Sequence, residues 1–342
     1  MDDGAAARRP DGPAAGGPAA GGPAAEAAVK KVSLWAESVR NSVERVFFGK
    51  SPVIEKLLVA LLCRGHVLLE DVPGVGKTIL ARALSSSFGA KYTRIQCTPD
   101  LLPADVLGVS VYNPKSGEFS FRQGPILTNL LLVDEINRAT PRTQSALLEA
   151  MAENQISVEG RRIPLPDPFF LIATENPVEF EGTFPLPEAQ KDRFFLSLQI
   201  GYPSREAEEE ILDSQRRITH PVDDVTPVTD MAVLLDMQKT ILDVFINAEL
   251  RTYLLDIVSE TRNDQRLMLG VSPRGSLALY RGAQALAAVR GRSYAVPEDV
   301  KELAVPVLSK RIIVKSEQSI RGLTETRAIQ DILDRVAVPI FK

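Results

Sequence analysis

The sequence predicts an α/β domain with a parallel sheet flanked by helices, followed by an all-helical domain. Three observations indicate this fold class. Between about residues 30 and 201, short apolar segments alternate with helical stretches, which is the pattern of a parallel sheet. A glycine-rich loop lies between the first of these apolar segments and a helical stretch. After Pro203 the sequence shows helical patterns only.

Length and composition are those of an ordinary globular protein. The 342 residues fit two domains, at the usual ~150 residues per domain. A net charge of −4 gives no reason to expect a nucleic acid partner. No apolar run approaches the ~20 residues that span a bilayer, and two cysteines are too few for a disulfide framework. We therefore expect a cytoplasmic protein without an integral membrane segment.

The first 28 residues differ from the rest of the chain. The unit Gly-Pro-Ala-Ala recurs there, and large apolar side chains are almost absent. Such a segment cannot bury enough surface to offset its ordering entropy. We expect a disordered tail over 1–28, either a simple tether or a docking motif. The α/β domain then covers 29–201 and the helical domain covers 202–342.

The expected elements follow from hydrophobic patterns and capping residues. Strands are expected at 67–69, 92–96, 130–133, 169–173 and 194–198, and hairpins at 111–121 and 155–164. In the first hairpin, Phe119 and Phe121 alternate with Ser120, so the two rings either face a partner or pack inside the domain. Helices are expected at 205–217, from residue 247, at 273–290 and at 297–308.

The glycine-rich loop has the composition of a phosphate-binding site. Its backbone N–H groups and the helix N-terminus behind it would form a cradle for polyphosphate. Lys77 would reach the β- and γ-phosphates of ATP, and the Thr78 hydroxyl would bind Mg²⁺. The usual pattern G-x-x-x-x-G-K-[ST] has its first glycine replaced by aspartate here. The residues expected to contact ATP are Asp71, Val72, Pro73, Gly74, Val75, Gly76, Lys77, Thr78 and Ile79.

Two later strands end in polar residues that suit phosphate hydrolysis. Asp134 and Glu135 end the apolar run 130–133. Asp134 would hold Mg²⁺, and Glu135 would act as the general base that polarises the attacking water. Asn176 follows the next strand, where it would orient that water or would simply be a turn residue before proline.

Two arginines could complete the site. Arg193 lies just before the strand at 194–198, and Arg274 lies in the first turn of a helix in the second domain. A cation is electrostatically disfavoured at a helix N-terminus. The position of Arg274 is better explained if an anion such as a γ-phosphate lies opposite, although surface ion pairs are the simpler alternative for either arginine.

Taken in order, these motifs resemble the MoxR family of AAA+ ATPases over about residues 32–340. The segments that carry the resemblance are Glu70-Asp71-Val72-Pro73-Gly74-Val75-Gly76-Lys77-Thr78, Val133-Asp134-Glu135-Ile136-Asn137-Arg138-Ala139, Ala173-Thr174-Glu175-Asn176-Pro177, Leu186-Pro187-Glu188-Ala189-Gln190, Asp192-Arg193-Phe194 and Ser272-Pro273-Arg274. The resemblance implies that the fold is an AAA+ P-loop domain followed by a helical lid domain. It also implies that an aspartate at position 71 of the loop is usual in that family.

The resemblance assigns roles that the residues alone leave open. It implies that Asn176 is the first sensor, that Arg193 is an arginine finger acting in trans, and that Arg274 is the lid sensor in its own subunit. It places an adenine pocket at Val46-Phe47-Phe48-Gly49. It also implies a homo-oligomeric ring, usually a hexamer, a partner with a von Willebrand factor A domain, and a protein client.

Two functions are compatible with these expectations. The first is a Mg²⁺-dependent ATPase that remodels protein clients in the maturation or assembly of complexes, in the manner of a chaperone. The alternative is a nucleotide-gated binding or scaffold protein whose ATP turnover is incidental.

Overall fold

The computed structural model describes residues 22–115, 117–177, 182–216 and 219–339. Its strands, in chain order, are β1 (Val67–Glu70), β2 (Tyr92–Gln96), β3 (Gly108–Asn113), β4 (Glu118–Gln123), β5 (Leu130–Asp134), β6 (Gln155–Val158), β7 (Arg161–Pro164), β8 (Phe170–Glu175), β9 (Leu196–Leu198), β10 (Leu267–Leu269) and β11 (Ile313–Val314). Five of them form a sheet in the order β2–β5–β8–β1–β9, and every pairing is parallel. The predicted fold class is confirmed.

The central strands of this sheet, β1, β5 and β8, are apolar because helices cover both of its faces. Every residue of β5 is buried, and β8 is buried up to its last residue. The sheet is parallel, so the carboxyl ends of β1, β5 and β8 all meet at one edge. The glycine-rich loop and the polar residues that end β5 and β8 are therefore brought together there.

Helices surround the sheet and form most of the second domain. They are α1 (Pro23–Glu44), α2 (Ser51–Leu62), α3 (Lys77–Ser87), α4 (Pro103–Leu107), α5 (Pro141–Glu153), α6 (Glu188–Lys191), α7 (Arg205–Ser214), α8 (Met231–Thr240), α9 (Ala248–Asn263), α10 (Pro273–Val289), α11 (Pro297–Leu308), α12 (Ser316–Ile320) and α13 (Glu325–Arg335). Several begin with proline in the first turn, where its missing N–H costs nothing. Within the described residues, no helix is long and apolar enough to cross a bilayer.

The amino-terminal segment differs from the expected disordered tail. Residues 1–21 lie outside the described residues, but α1 already begins at Pro23. Val29, Val32 and Trp35 are buried on one face of this helix. This apolar face packs against α2, α3 and α10, so tertiary contacts stabilise an alanine-rich beginning that composition alone did not distinguish from the tail.

The two hairpins project from the sheet as expected, as β3–β4 and β6–β7. In the first hairpin the two aromatic rings have different environments. Phe119 is 71% exposed and its ring contacts that of Tyr112 at 5.2 Å, whereas Phe121 packs against the domain core. Both of the expected alternatives therefore occur, one at the tip of the hairpin and one at its base.

The second domain is not purely helical. β10 and β11 form a small antiparallel sheet, which corrects the expectation of helices only. Strands of two or three residues are too short to show a period-2 pattern in the sequence. Helix α7 was expected over 205–217; it ends at Ser214, and residue 217 lies outside the described part of the chain. Helix α10 packs on α1 and α2, which fixes this domain against the first.

Candidate active site

The glycine-rich loop leads directly from β1 into α3. Gly74 and Gly76 have φ values of +87° and +91°, in the left-handed region that favours glycine. A Cβ at Gly76 would lie 3.1 Å from the Phe47 ring, so a side chain there would also be crowded. The loop is thus shaped by backbone conformations that leave its N–H groups and the N-terminus of α3 available to an anion.

Asp71, which replaces the first glycine of the motif, is an anchor for the loop. Its buried carboxylate accepts hydrogen bonds from the backbone N–H groups of Ile200 and Gly201, the latter at 3.1 Å. The Asp71 carbonyl oxygen accepts a bond from the Lys77 ammonium at 2.6 Å. The side chain therefore ties the start of the loop to the segment after β9, while its backbone holds the loop lysine.

Lys77 lies close to the carboxylates that end β5. Burial lowers the pKa of Lys77, and the negative charges of Asp71, Asp134 and Glu135 act in the opposite direction. The ammonium is half-buried at the first position of α3. The sheet thus assembles the predicted lysine and the two predicted carboxylates in one electrostatic environment.

Asp134 is held on both of its carboxylate oxygens. Thr174 donates its hydroxyl to Oδ1 at 3.2 Å, and the Arg94 guanidinium donates to Oδ2 at 2.6 Å. Thr174 comes from β8 and Arg94 from β2, the two strands that flank β5. The carboxylate is consequently fixed at the sheet edge, with a cation already beside it.

Glu135 has an unusual backbone conformation for a residue with a side chain. Its φ and ψ are 55° and 53°, in the left-handed region. Its N–H donates to the Thr174 hydroxyl at 2.9 Å, and its carboxylate pairs with Arg138 at 3.2 Å. One threonine hydroxyl thus links the Asp134 carboxylate to the Glu135 backbone, and the turn directs Glu135 differently from Asp134. Such outliers persist where the surroundings fix them, typically at functional sites.

The oxygen donors at this edge fit a magnesium ion bound together with nucleotide. Mg²⁺ takes oxygen ligands, usually one or two from protein with the rest from phosphate and water. The Thr78 hydroxyl in the first turn of α3 and the Asp134 carboxylate supply such a pair. The described ranges contain no group of three or more His, Cys, Asp or Glu residues that could hold a metal ion.

Asn176 is buried directly after β8. The parallel register pairs Val133 with Ala173, so the ends of β5 and β8 lie side by side. Asn176 therefore shares the edge that carries Asp134 and Glu135, as the sequence predicts.

An apolar pocket of about 130 Å³ lies beside the loop. Loop atoms of Gly74, Val75 and Gly76 form one wall. The other walls come from the segment after α1, the segment after β9 and helix α7; the remaining lining residues are Val46, Phe47, Phe48, Lys50, Ile79, Ile200, Gly201, Pro203, Ile211, Ser214 and Gln215. A flat apolar ring joined to a phosphate chain fits this arrangement, and the pocket includes the segment expected to contact adenine.

Arg193 is placed away from the glycine-rich loop. It is exposed, and its guanidinium donates to the Leu148 carbonyl at 2.9 Å. It lines a polar pocket of about 500 Å³, whose other described residues belong to α5, the β6–β7 hairpin and α6. The structure therefore groups Arg193 with a different surface from the one that carries Lys77 and Glu135.

Arg274 lies in the first turn of α10 and approaches Asp192, the residue that precedes Arg193. Its side chain is 56% exposed and lies 3.9 Å from the Asp192 carboxylate. Ser272 donates its hydroxyl to the same carboxylate at 3.1 Å. Arg311 also binds it, at 2.9 Å. Asp192 thus receives three side chains of the second domain.

Comparison with known proteins decides the family. Residues 66–196 match the ATPase family associated with various cellular activities (AAA), and residues 259–332 match the AAA lid domain. YeaC of Bacillus subtilis is 47% identical over 87% of this chain and 93% of its own length. Chaperone MoxR1 of Mycobacterium tuberculosis is 40% identical over 87% of this chain and 80% of its own length. The chain belongs to the MoxR family of AAA ATPases.

A solved structure supports the same assignment for this MoxR-family chain. The crystal structure of a protein from Cytophaga hutchinsonii, which is described as an ATPase, superimposes on this chain with a TM-score of 0.86. The two are 35% identical, and the match covers 93% of this chain and 98% of the other. The first domain is thus an AAA ATPase domain, which implies ATP binding, and the second is its lid.

Several residues of the MoxR-family site were not found from the sequence. They are Arg94, Thr174, Asp192 and Arg311. Thr174 and Asp192 lie inside motifs that carry the family resemblance, but no sequence pattern distinguished their roles. Arg94 could have been found only with the strand order known, because Gln96 pairs with Asp134 and Arg94 lies on the same face of β2.

Proposed function

We propose that this MoxR-family ATPase hydrolyses ATP with Mg²⁺ at the interfaces of a homo-oligomeric ring and uses the cycle to remodel protein clients. The observation that carries the proposal is the separation of the site into two surfaces. Lys77, Asp134, Glu135 and Asn176 share one edge of the sheet, whereas Arg193 lies on another surface, with α5 and β6. A second subunit would bring the two surfaces together.

Each residue then has a chemical role in the proposed reaction. Lys77 would bind the β- and γ-phosphates, and Thr78 with Asp134 would hold Mg²⁺, which would neutralise phosphate charge. Glu135 takes the proton of the attacking water, which Asn176 orients. Arg274 contacts the phosphates within its own subunit.

Arg193 of a neighbour would stabilise the charge that develops in the transition state. An arginine finger of this kind is worth ~10³-fold or more in kcat. Its exposed position in the single chain supports a role toward a neighbour.

The remodelling activity rests on two further features. One relative carries the name chaperone, and the β3–β4 hairpin presents Tyr112 and Phe119 as an exposed aromatic pair that could contact a client. A ring of six subunits and a partner with a von Willebrand factor A domain belong to the proposal on the family resemblance alone.

The test compares ATP turnover of the wild-type protein with that of Lys77→Ala, Glu135→Gln and Arg193→Ala. All three should lose turnover, and Glu135→Gln should still bind ATP. Wild-type turnover in Glu135→Gln would refute the mechanism. Mixing Arg193→Ala with Glu135→Gln subunits should restore part of the activity. The Glu135→Gln subunits still carry Arg193, and they would supply it to the intact hydrolysis sites of neighbouring Arg193→Ala subunits. A lack of rescue at every ratio would refute the role in trans.

A pull-down separates remodelling from the alternative of a nucleotide-gated scaffold. In the presence of ATP, a remodeller with Glu135→Gln should trap its client and release little product. A scaffold should bind and release its partner according to the nucleotide, whether or not hydrolysis occurs.

A further inference from the structure

The backbone on both sides of Arg193 is held by one buried arginine of the lid. Arg311 belongs to a short 3-10 helix, Ser309–Arg311, and its side chain is only 3% exposed. Its guanidinium donates to the carbonyl oxygens of Phe194 at 2.5 Å and Phe195 at 3.1 Å, and to that of Asp192 at 3.4 Å. The lid therefore fixes the chain immediately before and after Arg193.

The Asp192 carboxylate adds a second connection to the lid. The Arg311 guanidinium donates to it at 2.9 Å, and the Ser272 hydroxyl donates to it at 3.1 Å. Arg274 reaches it only at 3.9 Å, with an exposed side chain. Such a long, exposed ion pair contributes little stability, so a phosphate group could draw Arg274 away at low cost.

We propose that Asp192 and Arg311 are positioning residues that attach Arg193 to the lid. The inference rests on the proposed function, because it assigns these residues to a finger that serves a neighbour. When bound nucleotide attracts Arg274, it moves Arg274 together with the start of α10. This movement changes the contacts that Asp192 makes with the lid. Since Arg311 binds the flanking carbonyls, the same shift moves the Arg193 backbone. The nucleotide bound to one subunit thereby determines the position of Arg193 toward the next subunit.

Arg311→Lys is the direct test, because lysine keeps a positive charge but has only three donors on one atom. It cannot replace the five donors of the planar guanidinium, which reaches the Asp192 carboxylate and the carbonyl oxygens on both sides of Arg193. The variant should lower kcat roughly tenfold, a fraction of the ~10³-fold expected for complete loss of an arginine finger. The dissociation constant of ATP in its own site should change less than about twofold, since the glycine-rich loop is untouched. Arg266→Lys is the matched control: Arg266 is another lid arginine with several bonds, to Asp264 and Asp331, away from Arg193.

Mixed subunits distinguish a positioning role from a structural one. Glu135→Gln subunits are titrated into Arg311→Lys subunits and, in parallel, into Arg193→Ala subunits. Rescue in both mixtures supports the inference, because the Glu135→Gln subunits supply a correctly placed finger. Rescue of Arg193→Ala but not of Arg311→Lys overturns it, since Arg311 would then act only within its own subunit. Rescue of neither refutes the finger in trans, and the inference with it.

Asp192→Asn provides a second variant that keeps the shape of the side chain. The amide oxygen can still accept from Arg311 and Ser272, so folding should be preserved even where Arg311→Lys fails to fold. Turnover should fall several-fold and recover with Glu135→Gln subunits, and the Hill coefficient for ATP should decrease. An unchanged Hill coefficient together with wild-type turnover would overturn the proposed link.

Discussion

Replacing Asp71 by glycine would restore the usual phosphate-loop motif, and we expect it to destabilise this protein. The Asp71 carboxylate accepts two backbone N–H bonds, from Ile200 and Gly201, and it is buried. A hydrogen bond to a charged group contributes ~1.5–3 kcal/mol, and an orphaned buried donor costs ~1–3 kcal/mol. The two bonds end on the two oxygens of one carboxylate, so they are coupled and their contributions do not simply add. We therefore expect a total loss of about 3 kcal/mol in the free energy of unfolding.

Urea titration measures this loss directly, and thermal unfolding should show a decrease of roughly 5 °C in Tm. Asp71→Asn keeps one acceptor oxygen and should lose less than Asp71→Gly. Asp256→Asn, on the exposed face of α9, is the matched control and should stay within about 0.5 kcal/mol of the wild type. If Asp71→Gly is as stable as the wild type, the carboxylate does not anchor the loop and the reasoning is wrong.

Three further predictions concern titration, catalysis and loop shape. Burial lowers the pKa of His66 to about 4, so the folded state loses about 2 kcal/mol of stability between pH 7 and pH 5. Urea titrations at the two pH values should show a smaller loss in His66→Gln than in the wild type, and an equal loss would contradict the prediction. Thr174→Val removes the hydroxyl that joins the Asp134 carboxylate to the backbone N–H of Glu135 and should lower kcat roughly tenfold in steady-state ATPase assays with little change in KM, whereas Thr174→Ser should retain activity. Gly76→Ala should weaken ATP binding at least about tenfold through strain and the Phe47 contact, while Gly322→Ala, with a similar φ of +89° in open space, should leave the affinity measured with a fluorescent nucleotide unchanged.

Much of the fold was readable from local patterns. The central strands β1, β5 and β8 are apolar over nearly their whole length, so composition located them without knowledge of their partners. The glycine-rich loop is also a local signal, since its two left-handed glycines and its lysine lie within four consecutive residues, Gly74–Lys77. The β10–β11 pair was missed because its strands are too short for a period, and the start of α1 because its stability comes from packing.

The candidate site shows the same division. Lys77, Asp134 and Glu135 were predicted because each stands at the end of a recognisable element, and a parallel sheet brings such ends together. Arg94 and Thr174 were missed because their role is a side-chain contact between neighbouring strands. That contact depends on strand order, which the sequence does not contain.

The sequence by itself determined the nucleotide chemistry of this protein. Its loop, its carboxylates and the order of its motifs carry that information over short stretches of chain, where backbone geometry follows from local residue types. The tertiary structure decided how the loop and the backbone around Arg193 are held. Asp71 meets Ile200 and Gly201, and Arg311 meets the backbone around Arg193, because the fold places segments far apart in the chain within hydrogen-bond distance. Hydrogen bonds between such segments depend on the three-dimensional path of the chain, so no local pattern predicts them.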